Sequence, residues 1–190
     1  MNHGVFVYGS MASPAEIAGL LGKDVAVEGV DYVLASLAGW RRTWNVCTDN
    51  TTSRAVRYHT PGTKERPPVQ VLFLNLEPAA EETTGYLIFV EAHHLAALDA
   101  REGNYDRVPV TDQVTPAARE RPAVVWTYVG KGDRETKARA AIRRGSARIR
   151  REYLDKVVEA FGDNEAMAAE LVRTKPPAPV ERLDRVVGEG

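Results

Sequence analysis

The sequence predicts an α+β fold organised around a curved or closed sheet. Strand-like apolar segments cluster in the first two thirds of the chain, at residues 5–7, 39–46, 69–76 and 85–90, with further extended stretches at 106–110 and 123–129. Helix-like segments fall between or after them instead of alternating with them, which argues against a regular βαβ array. No internal repeat is present. With 190 residues, 44% of them hydrophobic and 27% charged, the chain is long enough for one domain with a sizeable core.

The first segment organises the rest. Val5, Phe6 and Val7 are three β-formers in a row and read as a buried strand. The run stops at Tyr8, Gly9, Ser10 and Met11. Gly9 permits a turn, or a close approach of backbone to a ligand that a side chain would block. Beyond it Ser13 suits a helix cap, Pro14 the first helical position, and Glu16 follows three residues after Ser13. The helix spans 14–21, with Ile17, Leu20 and Leu21 on one face, and Gly22 is placed to end it. Free amides between a strand end and a helix start make a site for an anion. A lone Tyr-Gly-Ser turn also reads as a simple chain reversal, since short motifs recur by chance.

Residues 24–37 read as extended. In the strand 39–46, Trp40, Arg42 and Trp44 share one face, the two tryptophans as core, and Arg41, Thr43 and Asn45 the other. Residues 47–68 are polar, hold prolines and glycine, and are longer than a common connection: a functional segment, a lid, or a mobile loop. A continuous apolar strand (69–76), an acid-rich connection (78–84) and a second strand (85–90) follow. Residues 91–102 form a helix with Leu95, Leu98 and Ala92 facing inward. The stretch 131–151 is basic and helix-prone. In 153–161, Leu154, Val157, Val158 and Phe161 recur at helical spacing, and a last short helix covers 166–173. From Thr174 the run Lys175, Pro176, Pro177, Ala178, Pro179 reads as a stiff linker. The organisation is one domain over 1–173, then a Pro-rich linker and polar tail over 174–190.

Composition narrows the function classes. A formal net charge of −1 offers no bulk attraction to nucleic acid or membrane. The single cysteine, Cys47, rules out an internal disulfide framework, fits a reducing compartment and reads as a small buried residue. No apolar run approaches the roughly 20 residues of a membrane helix, and no charged-then-apolar leader precedes the first strand. The expectation is a cytoplasmic protein. Asn50, Thr51 and Thr52 match a glycosylation acceptor, which means nothing without secretion. His3, His59, His93 and His94 form no metal signature; adjacent helical positions point about 100° apart. Neither a Gly-x-Ser-x-Gly elbow nor a phosphate-binding P-loop occurs. The basic run Lys131, Arg134, Lys137, Arg139, Arg143, Arg144, Arg148, Arg150 and Arg151 is a nucleic-acid patch or a solvated helix face that steers an anionic substrate. The balanced overall charge favours the second reading.

The candidate for chemistry is Glu102. It is placed as the last helical residue, with Gly103 as the stop, so its carboxylate sits at the negative end of the helix dipole. That should raise its pKa and suit a group that both takes and gives a proton. The plainer alternative is a surface ion pair with Arg101 or Arg107.

Taken together, these segments resemble the gamma-glutamylcyclotransferase superfamily. The carriers are Val5 through Ser10, the Gly39, Trp40, Arg41 strand, the strand led by Gly85, and Leu98, Asp99, Glu102, Gly103 and Tyr105 at their spacing. Tyr128 and the Tyr153, Leu154, Asp155 run fall where such proteins have similar residues. The resemblance covers about residues 5–161. It implies a small mixed β-barrel flanked by helices, and an enzyme that releases 5-oxoproline from a γ-glutamyl group with no metal or organic cofactor. It also implies that the segment Val5, Phe6, Val7, Tyr8, Gly9, Ser10 and Met11 holds the γ-glutamyl head. Glu102 would be the base and acid, and Tyr105 and Tyr128 would line the pocket. The partner is then a small γ-glutamyl molecule, not nucleic acid or membrane. The chain departs from the pattern at Met11, where many members have Asn or Leu, and in the elaboration at 47–68. The leaving group is open among a cysteine-containing peptide, a lysine ε-amine, a polyamine and a biosynthetic amine such as the one unmasked in the butirosin pathway. A binding module on the same fold, without activity, is the alternative.

Overall fold

A computed structural model of the chain describes residues 3–162 and 164–188. Met1, Asn2, Asp163, Glu189 and Gly190 lie outside the described residues, and so do the expected limits of domain and tail at 1 and 190. The chain opens with strand β1 (His3–Val7), a 3-10 turn over Ser10–Ala12 and helix α1 (Pro14–Leu21). The helix start follows from its local sequence. Ser13 Oγ accepts from the Glu16 amide at 3.2 Å, Pro14 takes the first turn, and Gly22 closes the other end.

A long antiparallel ribbon follows, formed by β2 (Tyr32–Asp49) and β4 (Gln70–Val90), with β3 (Val56–His59) between them. Two expectations change here. Residues 24–31 are not strand, apart from one bridge between Glu28 and Tyr32. The acid-rich stretch 78–84 is not a connection but the middle of β4. The partner strand supplies the hydrogen bonds that the local sequence does not advertise, and the acids stay solvated or paired. Arg41, for example, lies 3.7 Å from Glu81. Gly85 is required by packing. A Cβ there would lie 2.3 Å from the Val7 carbonyl oxygen and 2.7 Å from the Phe6 ring.

The remaining elements are α2 (Ala92–Arg101), β5 (Tyr105–Pro109), β6 (Val114–Pro116), β7 (Val124–Gly130), α3 (Gly132–Arg144), β8 (Ala147–Arg150), α4 (Arg151–Phe161), α5 (Glu165–Arg173), β9 (Val180–Glu181) and β10 (Asp184–Val187). The main sheet runs β5-β7-β1-β4-β2-β6, with β8 beside β4 and β9 beside β8. It is mixed but mostly antiparallel. The parallel pairs are β1 with β7, β4 with β8, and β8 with β9. Among the described residues no pairing joins β5 to β6, so the expected barrel is seen as an open mixed sheet. Two register shifts in the β2/β4 ribbon, between Ala38 and Trp40 and between Thr43 and Val46, are the irregularities that kink a strand and raise its twist.

The basic run is not one helix. Gly145, at φ 72°, ends α3, and Ala147, Arg148 and Ile149 then pair with Gln70, Val71 and Leu72 of β4. The Pro-rich segment also contributes strands. Val180 pairs with Ile149, and β10 lies along β3 as a separate two-stranded ribbon. Trp44 Nε1 donates to the Thr174 carbonyl at 2.9 Å.

The main core packs the sheet against the helices through Phe6, Leu37, Leu74, Leu87, Leu98 and Phe161, each contributing about 1.5–3 kcal/mol by burial. A smaller cluster of Tyr58, Val69, Val71 and Leu183 lies under the β3–β10 ribbon. Cys47 is free and buried, and burial pushes its thiol up to about 11. Among the described residues no helix is long and apolar enough to cross a membrane.

Candidate active site

Strand β1 delivers the turn at residues 8–11 to the floor of a cavity of about 940 Å³. The turn is held from behind. The Tyr8 hydroxyl donates to the Tyr128 carbonyl at 2.7 Å, and the Tyr8 carbonyl accepts from Arg42 Nε at 2.9 Å. The Arg42 side chain is only 1% exposed. Its other nitrogens reach the Glu170 carboxylate at 3.0 Å and the Thr84 carbonyl at 2.7 Å, and its guanidinium lies 4.7 Å from the centre of the Phe161 ring. Burial pulls its pKa down and Glu170 opposes this. An internal cation with every face engaged acts as a rivet, joining the turn to β4 and α5.

Within the turn the Ala12 amide donates to the Gly9 carbonyl at 2.9 Å. Among the described residues no protein group accepts from the amides of Gly9, Ser10 or Met11. Gly9 itself has ordinary space. A Cβ would meet the Tyr153 hydroxyl at 3.6 Å and Leu74 at 3.9 Å, so packing within the protein does not demand glycine there. Its backbone stays bare toward the cavity, the arrangement that lets a ligand approach the amides.

Val5, Phe6, Val7, Tyr8, Gly9, Ser10, Met11, Glu102, Tyr105 and Tyr128 all line this one cavity. The helix geometry at Glu102 differs from the sequence expectation. The α2 helix ends at Arg101, Glu102 is its cap residue at φ −88° and ψ 45°, and Gly103 does not take a positive φ. Its pKa is raised, and the cause is burial, with Glu16 adding and Arg101 opposing. The Glu102 side chain is 20% exposed and lies 3.4 Å from Arg101 Nε. That pair is the plainer reading made visible, yet desolvation still outweighs it. Arg107, the other possible partner, is engaged by Asp99 at 3.2 Å.

The tyrosines have different work. Tyr105 donates to the Leu74 carbonyl at 2.7 Å, and Tyr128 to Asp99 at 2.8 Å. Tyr153 accepts from the Leu74 amide at 3.4 Å. Burial raises the pKa of each of these and of Tyr8, so they remain protonated donors. Glu16 is the second carboxylate on the wall, and Arg101 at 2.8 Å and Lys156 at 3.6 Å neutralise it. Glu102 is the carboxylate on this wall whose pKa is raised.

Sequence reasoning gave Arg42, Glu16 and Tyr153 no place in a site. The signal for Arg42 was a cation between two tryptophans on an apolar face, which asks for a buried partner. Nothing local pointed to that partner, Glu170, 128 residues away. Among the described residues no three His, Cys, Asp or Glu side chains gather as a metal site. The His93 and His94 rings lie 3.8 Å apart at a tilt of 41°, and His94 Nδ1 accepts from the Glu91 amide at the head of α2.

No family model matches the chain, and no curated protein matches it. Solved structures do. YkqA from Bacillus subtilis matches with a TM-score of 0.57 at 16% identity over 94% of this chain, which spans 55% of that protein. A structure described as a gamma-glutamyl cyclotransferase matches with a TM-score of 0.55 at 12% identity, covering 91% of this chain and 88% of the other. A solution structure of At3g28950.1 from Arabidopsis thaliana is 27% identical over 72% of this chain and 67% of its own, at a TM-score of 0.43. By the likeness to the second of these, the chain has the gamma-glutamyl cyclotransferase fold.

Proposed function

We propose that the protein is a gamma-glutamylcyclotransferase-type enzyme that releases 5-oxoproline and a free amine from a γ-glutamyl amine or peptide. One observation carries the reading. A carboxylate with a burial-raised pKa, Glu102, shares a cavity with a turn whose Gly9, Ser10 and Met11 amides have no protein acceptor among the described residues.

In the proposed reaction the turn amides hold the carboxylate and carbonyl oxygens of the γ-glutamyl head. The α-ammonium of the substrate gives a proton to Glu102, and the freed amine attacks the γ-carbonyl carbon. A C–N bond forms, and charge develops on the carbonyl oxygen, where fixed amides stabilise it without reorganising. Collapse of the tetrahedral intermediate breaks the original amide bond as Glu102 gives its proton to the departing nitrogen. Glu102 then takes the surplus proton of the new ring nitrogen and passes it to the released amine, which leaves as an ammonium. The product ring is five-membered, so holding the amine over the carbonyl favours closure. Atoms balance within the substrate, and no water is consumed.

The test is 5-oxoproline release from a panel of γ-glutamyl amines and peptides by wild type and Glu102→Gln. Release by wild type with a loss of roughly a hundredfold or more in the variant is the expected result. Equal release by both proteins would remove Glu102 from the chemistry. No release from any substrate by wild type would favour a binding module on this fold.

A further inference from the structure

The cavity has a second wall, and its charge differs from the first. Arg101 and Lys156 stand near Glu102 and Glu16 and are paired there. A second group comes from α3, β8, β10 and the segment just before β3: Arg54, Arg134, Lys137, Arg150 and Arg185 all line the cavity. Arg134 and Lys137 share Asp133, at 3.7 and 3.6 Å, and Arg150 meets Glu152 at 3.0 Å. Among the described residues neither Arg54 nor Arg185 has a carboxylate partner. Both are exposed at the cavity wall.

The wall is also shaped. Tyr58 is 3% exposed, and the guanidinium of Arg150 lies 5.8 Å from its ring centre. Arg185 is directly opposite Tyr58 in the β3–β10 pairing, and burial raises the Tyr58 pKa while the charges of Arg150 and Arg185 oppose the rise. The ribbon is tied down by Leu183 in its own apolar cluster and by the Gly188 amide on the Ala55 carbonyl at 2.9 Å. The segments that build it are the elaboration at 47–68 and the chain beyond Thr174.

From this wall we infer a leaving-group subsite for an amine that carries two or more acid groups. The inference rests on the proposed cyclotransferase reading and sharpens it. With the γ-glutamyl head at the turn and its γ-amide near Glu102, the departing half of the substrate faces the cationic wall. Two unpaired guanidiniums present planar forks suited to carboxylates, and a wall of one sign in a cavity concentrates anions. A polyamine would bring its positive charges against a wall with a surplus of cations and be rejected. A singly charged amino acid would leave one fork unused.

The experiment compares γ-glutamyl-glutamate, γ-glutamyl-ethylamide and γ-glutamyl-putrescine, whose leaving amines carry two acid groups, none, and an extra cation. The proteins are wild type, Arg54→Gln, Arg185→Gln and the double variant, each checked by thermal melting. Binding of γ-glutamyl-glutamate to Glu102→Gln is measured by calorimetry in parallel. Expected is a kcat/KM for γ-glutamyl-glutamate at least about tenfold above that for the ethylamide. That ratio falls toward one in the double variant through KM and shrinks with added salt. Turnover of all three at similar rates, or a preference for putrescine, overturns the subsite and leaves the cyclotransferase reading standing. No turnover, with γ-glutamyl-glutamate binding that is lost on adding Arg54→Gln and Arg185→Gln to Glu102→Gln, supports the subsite and overturns the reaction. Neither turnover nor binding overturns both.

Discussion

The two walls of the cavity are built by opposite rules. At the turn wall almost every polar group is spoken for. The Tyr8 carbonyl and hydroxyl, the Tyr105 and Tyr128 hydroxyls and the whole Arg42 guanidinium are hydrogen-bonded within the protein. What remains is a short run of open amides and one carboxylate, Glu102, with Arg101 at 3.4 Å. At the ribbon wall the charges are incompletely paired, and two of them, Arg54 and Arg185, are exposed. Groups that must not move are buried and saturated, because low dielectric makes an unmet partner costly. Groups that greet a charged ligand stay solvated, because that costs little in its absence. Substitutions should therefore behave differently on the two sides.

The largest effect is expected from Arg42→Ala. It strands the partly buried Glu170 carboxylate and two carbonyls, and loss of one partner of such a pair costs about 3–5 kcal/mol. Urea unfolding measures it, and a loss below about 1 kcal/mol would mean that the rivet is dispensable. Next is Glu102→Gln, with its loss of roughly a hundredfold in turnover. Gly85→Ala follows, at about 1–3 kcal/mol of overpacking against β1, again read by unfolding. A melt unchanged by that substitution would show that β1 and β4 can part without cost.

A smaller effect concerns pH. Burial holds the Glu102 carboxyl above its ordinary value of 4.5, so the folded form binds this proton more tightly than the unfolded chain. The burial penalty is therefore present above the raised value and fades as pH falls through it and then below the ordinary value. Glu102→Gln should be at least as stable as wild type at neutral pH, with the difference shrinking toward pH 4. The acid limb of kcat/KM should lie above the usual carboxylate range. Coincident melting of the two proteins at every pH would contradict the desolvated carboxyl. The smallest effect is Arg54→Gln, which should alter stability by no more than about 0.5 kcal/mol. A larger loss would make the ribbon wall structural and erase the contrast.

Much of the turn wall was legible in the chain because its signals are local. The apolar run Val5, Phe6, Val7, the Ser13 cap with Pro14 behind it, and the Leu95 and Leu98 spacing each lie within one turn or strand of what they specify. The position of Glu102 was legible in the same way. The cause of its raised pKa was not. The helix dipole was the argument available from sequence, whereas the structure attributes the shift to burial, a property of everything packed around the residue. Arg42 was visible only as an oddity in a strand.

The ribbon wall was hardly legible at all. Residues 47–68 lack a period, and the Pro-rich segment looks like a spacer. Yet Tyr58 and Arg185 are paired across 127 residues of sequence. Two-residue and four-residue strands such as β9 and β10 carry too little pattern to announce themselves; they exist because an edge was waiting for them.

The chain by itself therefore determined the mixed α+β class, the strand-turn-helix at its head and the carboxylate after α2, all of which rest on neighbours in sequence. Tertiary structure alone decided that the sheet stays open in its pairings, that 78–84 is strand, and that 147–150 leaves the helix for β4. It also decided that Arg54, Arg134, Arg150 and Arg185, from four separate segments, line one cavity. The physical reason is the same throughout. Hydrogen-bond partners and desolvation come from segments far along the chain, and no local preference records them.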